Sequence, residues 1–175
     1  MASGGSILID HYKNPRFKGV ISEPDRQNEI VNRKCGDRLF FTARIESRIL
    51  KEIRFEGQGC FYCLASASIL CCSLSGKVVD NLPGDIAWFR QWLMASPDPS
   101  EATDPTESPG PSESTEAPGP EGDGKSSKIM AGMHRLSALN EEWEAIHALG
   151  EVKAYPMRID CVDLAWKGVE EMLRK

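Results

Sequence analysis

One stretch constrains this chain more than any other: residues 95–124 have the composition of a segment that does not fold. Those thirty residues hold eight carboxylates, no Lys or Arg, seven of the eleven prolines, and only three apolar residues, all alanine. Such a sequence buries too little surface to offset chain entropy, so a disordered acidic Pro/Ser/Gly-rich insert at about 95–127 is expected inside a single domain spanning 1–175. Setting it aside changes the remainder. The chain's formal charge of -5 becomes +3 over the other 145 residues, of which about 48% are apolar, enough for a sizeable core.

That remainder excludes several classes. No run approaches the roughly eighteen apolar residues of a membrane span, and residues 1–13 show neither a secretory apolar region nor an Arg-rich transit pattern. A cytoplasmic protein with no membrane partner is expected. A charge of only +3 without a basic cluster also gives no nucleic-acid footprint. In that compartment six cysteines point to metal or thiol chemistry rather than a disulfide framework.

Ser6 is placed to cap a short helix through Ile7, Leu8, Ile9 and Tyr12, which Asn14-Pro15 stops. From Arg38 to Glu46, Leu39, Phe41, Ala43 and Ile45 share one face against Arg38, Thr42, Arg44 and Glu46, with only Phe40 breaking the alternation. Ile53 and Phe55 alternate with Glu52, Arg54 and Glu56, so a turn around Ser47 predicts an antiparallel hairpin that Gly57-Gln58-Gly59 ends. The Ala/Ser/Leu/Cys run from Tyr62 to Leu74, followed by Gly76, reads as a small-residue helix packed close to the sheet. Further helices are predicted from about Pro83 to Met94, around Asn140 to Leu149 with Asn140 as cap, and from Asp160 or Cys161 onward. The last carries a stripe of Val162, Ala165, Trp166, Val169, Met172 and Leu173. The expected fold is α+β, a small antiparallel three-stranded sheet flanked by four or five helices.

Three cysteines stand where the backbone exposes and activates a thiol. Cys35 precedes Gly36 and Asp37 in a turn, Cys60 follows Gly59 at a strand-to-helix junction, and Cys161 is expected in the first turn of the final helix. The latter two would face a helix N-terminus, which favours the thiolate. If the three segments converge, Asp37 supplies a fourth donor, and a Cys3Asp set suits tetrahedral zinc while keeping one weaker, exchangeable oxygen ligand. Cys71 and Cys72 lie inside the small-residue helix and read as core or helix-contact residues. Cys63 completes Cys60-Phe61-Tyr62-Cys63, a CxxC open to redox or metal chemistry, though no second CxxC or thioredoxin-like pattern accompanies it. His11, His134 and His147 have no ligand-like neighbours in sequence and read as surface or packing residues, and the tryptophans as core anchors.

Four ordered blocks together resemble the SufU, IscU and NifU N-terminal family of iron-sulfur cluster assembly proteins. They are Ile9-Asp10-His11-Tyr12-Lys13-Asn14-Pro15-Arg16 with Gly19; Cys35-Gly36-Asp37; Phe55-Glu56-Gly57-Gln58-Gly59-Cys60 with Ala65-Ser66-Ala67-Ser68; and Pro156-Met157-Arg158-Ile159-Asp160-Cys161 with Leu164 and Trp166. The resemblance covers about 6–94 and 140–173. The last block is closer to SufU than to IscU, since Asp160 stands where IscU normally has histidine, and the chaperone-docking LPPVK sequence of IscU is missing.

The resemblance implies zinc bound by Cys35, Asp37, Cys60 and Cys161, with Cys35 accepting persulfide sulfur from a pyridoxal-phosphate cysteine desulfurase of the SufS/IscS type. The product would pass to a downstream iron-sulfur scaffold or apo-protein. In the IscU version the same four residues hold a nascent [2Fe-2S] cluster, and Arg158 matches an arginine that contacts the desulfurase. A purely structural zinc module and a CxxC thiol oxidoreductase are the rivals. Two departures stand out: Asn32-Arg33-Lys34 replaces the usual asparagine-proline pair before the first cysteine, and Cys63 is an extra thiol beside Cys60.

Overall fold

The computed structural model describes residues 4–95 and 140–175. The expected insert, apart from Ala95, lies outside the described residues, as does His134. Three strands form one antiparallel sheet in the order β1–β2–β3: β1 is Arg26–Asn32, β2 Asp37–Glu46 and β3 Ile49–Gln58. Five α-helices are described: α1 Gly4–Lys13, α2 Phe61–Leu74, α3 Leu82–Met94, α4 Asn140–Ala148 and α5 Pro156–Arg174. The α+β expectation therefore holds, and the hairpin around Ser47 is present as the β2–β3 turn, with Ser47 and Arg48 both at positive φ.

The inward faces of β2 and β3 present Leu39, Phe41, Ala43, Ile53 and Phe55, all essentially inaccessible to water. Helix α5 lies against β1 and β2, and α2 packs between β3 and α5 with α1 on its other side. Small residues let α2 come close on several sides, and Ala65, Ser66, Ala67 and Ser68 are all buried. Ser66 ties the layers together: its hydroxyl donates to Val162 O at 2.9 Å and accepts the Trp166 indole N–H at 3.1 Å. Trp166, fully buried, stacks on Phe89 of α3 with ring centroids 3.8 Å apart. Arg90 of α3 forks onto Asp163 at 2.6 and 3.0 Å and reaches Glu170 at 2.6 Å, closing α3 onto α5.

Strand β1 was not legible in the alternation. Only Ile30 is a buried apolar residue there; the other buried position is Asn28, whose amide donates to Gly168 O at 3.0 Å. Three helix starts also differ from the expectations. Helix α1 already includes Gly4, so Ser6 lies within the helix; α4 already includes Asn140. Thr42 does face away from the core but is covered, its hydroxyl accepting the Ile21 N–H at 3.1 Å. Helix α5 opens at Pro156, more than one turn before Asp160, because proline fits a first helical position and the exposed Met157 and Arg158 extend the helix beyond its apolar stripe.

Candidate metal and thiol centre

The sheet and two helix ends bring the predicted residues to one edge of the molecule. Cys35 lies at the tip of the β1–β2 connection, exposed to solvent. Gly36, at φ +74°, donates its N–H to Asn32 O at 2.9 Å and closes the turn in a backbone conformation that favours glycine. Asn32 Oδ1 accepts the Lys34 N–H at 3.0 Å, a local side-chain turn that does the ordering work of the absent proline. The register then places Asp37 as the first residue of β2, only 2% exposed. Cys60 is the N-cap of α2, as expected, at the strand-to-helix junction.

Cys35 Sγ stands 3.5 Å from Cys161 Sγ. Donor atoms of Cys35, Asp37 and Cys161 all lie within 4.8 Å of one another. Sulfurs around a tetrahedral zinc are about 3.8 Å apart, so the 3.5 Å sulfur pair need open only slightly to flank an ion. Cys60 borders that trio: its N–H donates to Asp37 Oδ1 at 2.9 Å, and its thiol interacts with Cys161. Asp37 Oδ2 is buried with no hydrogen-bond partner. A buried carboxylate oxygen without a donor is costly unless a cation faces it, which is the property expected of a ligand.

The electrostatics agree. Cys161 lies in the second turn of α5 rather than the expected first, and burial, followed by hydrogen bonding with Cys35 and Cys60, pushes its thiol up rather than down. Without a cation, negative charge on one group of the cluster opposes ionisation of the next; a divalent ion reverses that balance. Arg158, fully exposed, faces the thiols, and its pKa is raised first by its interaction with Cys161 and then by the charges of Cys60 and Cys161.

Sequence reasoning missed one contact beside the site. Lys34 and Asp160 pair at 3.2 Å, linking the residue before Cys35 to the residue before Cys161. The available signal was a cation and an anion immediately preceding two cysteines. Both side chains are largely exposed, so the pair steers the loop more than it stabilises the fold. A groove of about 340 Å³ runs beside it, lined by Val31, Arg33, Lys34, Asp160 and Lys167.

The other candidates separate from the centre. Cys71 is buried in the core, where burial raises its pKa well above the usual thiol value. Cys72 is half-buried and lines a different cavity, about 910 Å³, with Asp10, His11, Arg16 and Glu142. His11 is a packing residue whose Nδ1 lies 2.9 Å from Ser68 Oγ. His147 packs against the Trp143 ring, 4.3 Å between centroids. Cys63, in contrast, is buried next to the centre, with Asp37, Cys60 and Cys35 in its electrostatic surroundings.

The sequence profile of the NifU-like N-terminal domain matches residues 5–84, from α1 past Cys35, Asp37 and Cys60. Over these residues, a little under half of its length, the chain is similar to that family. It is 26% identical over 171 residues to the zinc-dependent sulfurtransferase SufU of Bacillus subtilis, a match covering 97% of this chain and 88% of that protein. It is 24% identical over 169 residues to the iron-sulfur cluster assembly scaffold protein IscU of Thermotoga maritima, covering 96% and 90%. The fold matches that of a SUF-system protein from Fervidobacterium islandicum AW-1 with a TM-score of 0.66 and 20% identity, over 95% of this chain and 93% of that one. Among the described residues no helix is long and apolar enough to cross a membrane.

Proposed function

We propose that this chain is an iron-sulfur cluster assembly protein acting in the cytoplasm as a zinc-bound sulfur acceptor, one domain that relays persulfide sulfur from a cysteine desulfurase to a downstream scaffold or apo-protein. The observation that carries the reading is an exposed Cys35 thiol 3.5 Å from the buried Cys161 thiol, beside a buried Asp37 oxygen that has no partner. The likeness to SufU, whose name declares zinc-dependent sulfur transfer, supports the same assignment.

Cys35, Asp37, Cys60 and Cys161 would hold the ion. Bound there, zinc would keep the three thiols deprotonated and draw the four donors together. Cys35 is the residue suited to accept sulfur, because it alone of the three thiols is exposed, on a turn that can swing without unfolding a helix or strand. Its thiolate attacks the outer sulfur of the desulfurase persulfide; a new S–S bond forms on Cys35, and the desulfurase cysteine leaves as a thiolate. Arg158, facing the thiols from solvent, supplies positive charge that offsets the anionic persulfide and stands where a docking desulfurase would meet it. Asp37, accepting the Cys60 N–H, holds the α2 end against the sheet so that the donors stay convergent.

The test is persulfide transfer from a SufS-type desulfurase and cysteine, followed by intact-mass measurement. Wild type should take up one sulfur atom, counted as protein-bound persulfide plus released sulfide, and Cys35→Ala none. A purely structural zinc site predicts no sulfur on any cysteine, which would refute the relay. The relationship to IscU supports a second reading, in which the same donors carry a [2Fe-2S] cluster as cargo. Metal content after anaerobic purification decides between them: stoichiometric zinc supports the relay, and a visible cluster on reconstitution supports the scaffold.

A further inference from the structure

Cys63 has no part in the relay described above, yet it lies against the same centre. Cys60 begins α2, its carbonyl accepting the Leu64 N–H at 3.1 Å. The backbone from 60 to 63 is thus the opening of a helix, which sets the two α-carbons about 5 Å apart, within the span a disulfide bridges. Cys60 itself has an extended backbone at ψ 169°, so rotation at this N-cap can swing its sulfur without disturbing the helix. The Cys63 sulfur points back toward the site. A Cβ built on Gly59 would stand 2.9 Å from Cys63 Sγ and 3.2 Å from Asp37 Oδ1, so thiol and carboxylate crowd one point that only glycine leaves open. Cys63 is fully buried, shielded from direct contact with external thiols.

We propose that Cys63 is a resolving thiol that releases sulfur carried on Cys60 as hydrosulfide. This rests on the sulfur-acceptor reading and extends it from carrying sulfur to reducing it. Sulfur reaches Cys60 from Cys35 by the same thiolate exchange. The Cys63 sulfur then attacks the inner sulfur of the Cys60 persulfide. A Cys60–Cys63 bond forms, the bond to the outer sulfur breaks, and that sulfur departs as HS⁻ carrying the Cys63 proton. The two thiols supply the two electrons that take sulfane sulfur to sulfide, and an external dithiol restores them. The reaction that follows must be one that consumes free sulfide, and a dithiol reductant must act once per turnover.

The test loads the full-length reduced chain anaerobically with glutathione persulfide, so no desulfurase is needed. Sulfide is measured above that from the donor alone, and disulfides are mapped by peptide mass. Wild type should release up to one sulfide per chain while accumulating a Cys60–Cys63 disulfide. Cys63→Ala should keep the extra sulfur on the protein and release about tenfold less sulfide until dithiothreitol is added. Equal release from Cys63→Ala overturns the inference. So does a disulfide that maps to Cys35–Cys161, whose sulfurs are also close at 3.5 Å. Sulfur retained by wild type without release overturns the inference alone, whereas no sulfur uptake by either protein overturns the acceptor reading with it. The wild-type disulfide map decides the matter even if Cys63→Ala folds poorly.

Discussion

Removing Asp37 asks whether that carboxylate serves the fold or an ion. In the fold as it stands the side chain accepts a hydrogen bond from the Cys60 N–H at 2.9 Å and interacts with the Cys161 thiol. With a charged acceptor such a bond contributes roughly 1.5–3 kcal/mol. Against it stands Oδ2, buried without a partner, whose lost hydration costs roughly 1–3 kcal/mol or more. The two offset, so Asp37→Ala should leave metal-free stability within about 1.5 kcal/mol of wild type, roughly 5 °C in melting temperature. Zinc reverses the balance. Losing one of four donors should weaken affinity by at least about 100-fold. At saturating zinc that removes about 2.7 kcal/mol of ligand-induced stabilisation, roughly 9 °C. The assay is a pair of melting curves, with and without zinc, plus competition against a colorimetric chelator. A metal-free variant that melts far below wild type, with its zinc-induced rise intact, would show that Asp37 braces the α2 end and is not a ligand.

Other outcomes follow from the same geometry. Burial, and then the nearby Arg16 charge, lowers the His11 pKa to about 4 from the ordinary 6.5. The unfolded chain therefore binds a proton that the folded chain refuses, so this contribution is complete above about pH 6.5 and is lost as pH falls toward 4. Urea titrations over that window should show a shallower decline for His11→Gln. Gly168→Ala would put a Cβ 2.7 Å from Ile30 Cγ2 and 3.3 Å from Phe41 Cε2. It should cost about 1–3 kcal/mol, part of which Ile30→Ala in the same chain restores, as a double-mutant cycle in denaturant would reveal. Arg90→Met strips the cation from Asp163, whose side chain is 11% exposed, and leaves Glu170 only its exposed partner Arg174; it should destabilise by about 3 kcal/mol in the same assay.

Much of the fold could be read in the residues because its elements obey simple periods. Leu39, Phe41, Ala43, Ile53 and Phe55 alternate, and all five are buried. What escaped was held by long-range polar contacts. Asn28 takes an inward place on β1 only because Gly168, 140 positions later, offers it a carbonyl. The same logic hid the start of α5. Met157 is 90% exposed, so no apolar stripe marks the first turn, and the helix was read from where the stripe begins. At the site, Cys35, Asp37 and Cys60 could be picked out from turn and cap positions, whereas the approach of Cys161 to Cys35 depends on how α5 crosses the sheet. Cys63 had a visible CxxC spacing, but its orientation toward Asp37 depends on the packing of Gly59.

X-ray absorption at the zinc edge on the metal-loaded chain tests the donor set most directly. Three sulfurs at about 2.3 Å and one oxygen at about 2.0–2.2 Å are predicted, with the oxygen lost in Asp37→Ala. A shell of nitrogen and oxygen alone, or one of four sulfurs with no oxygen, would contradict it.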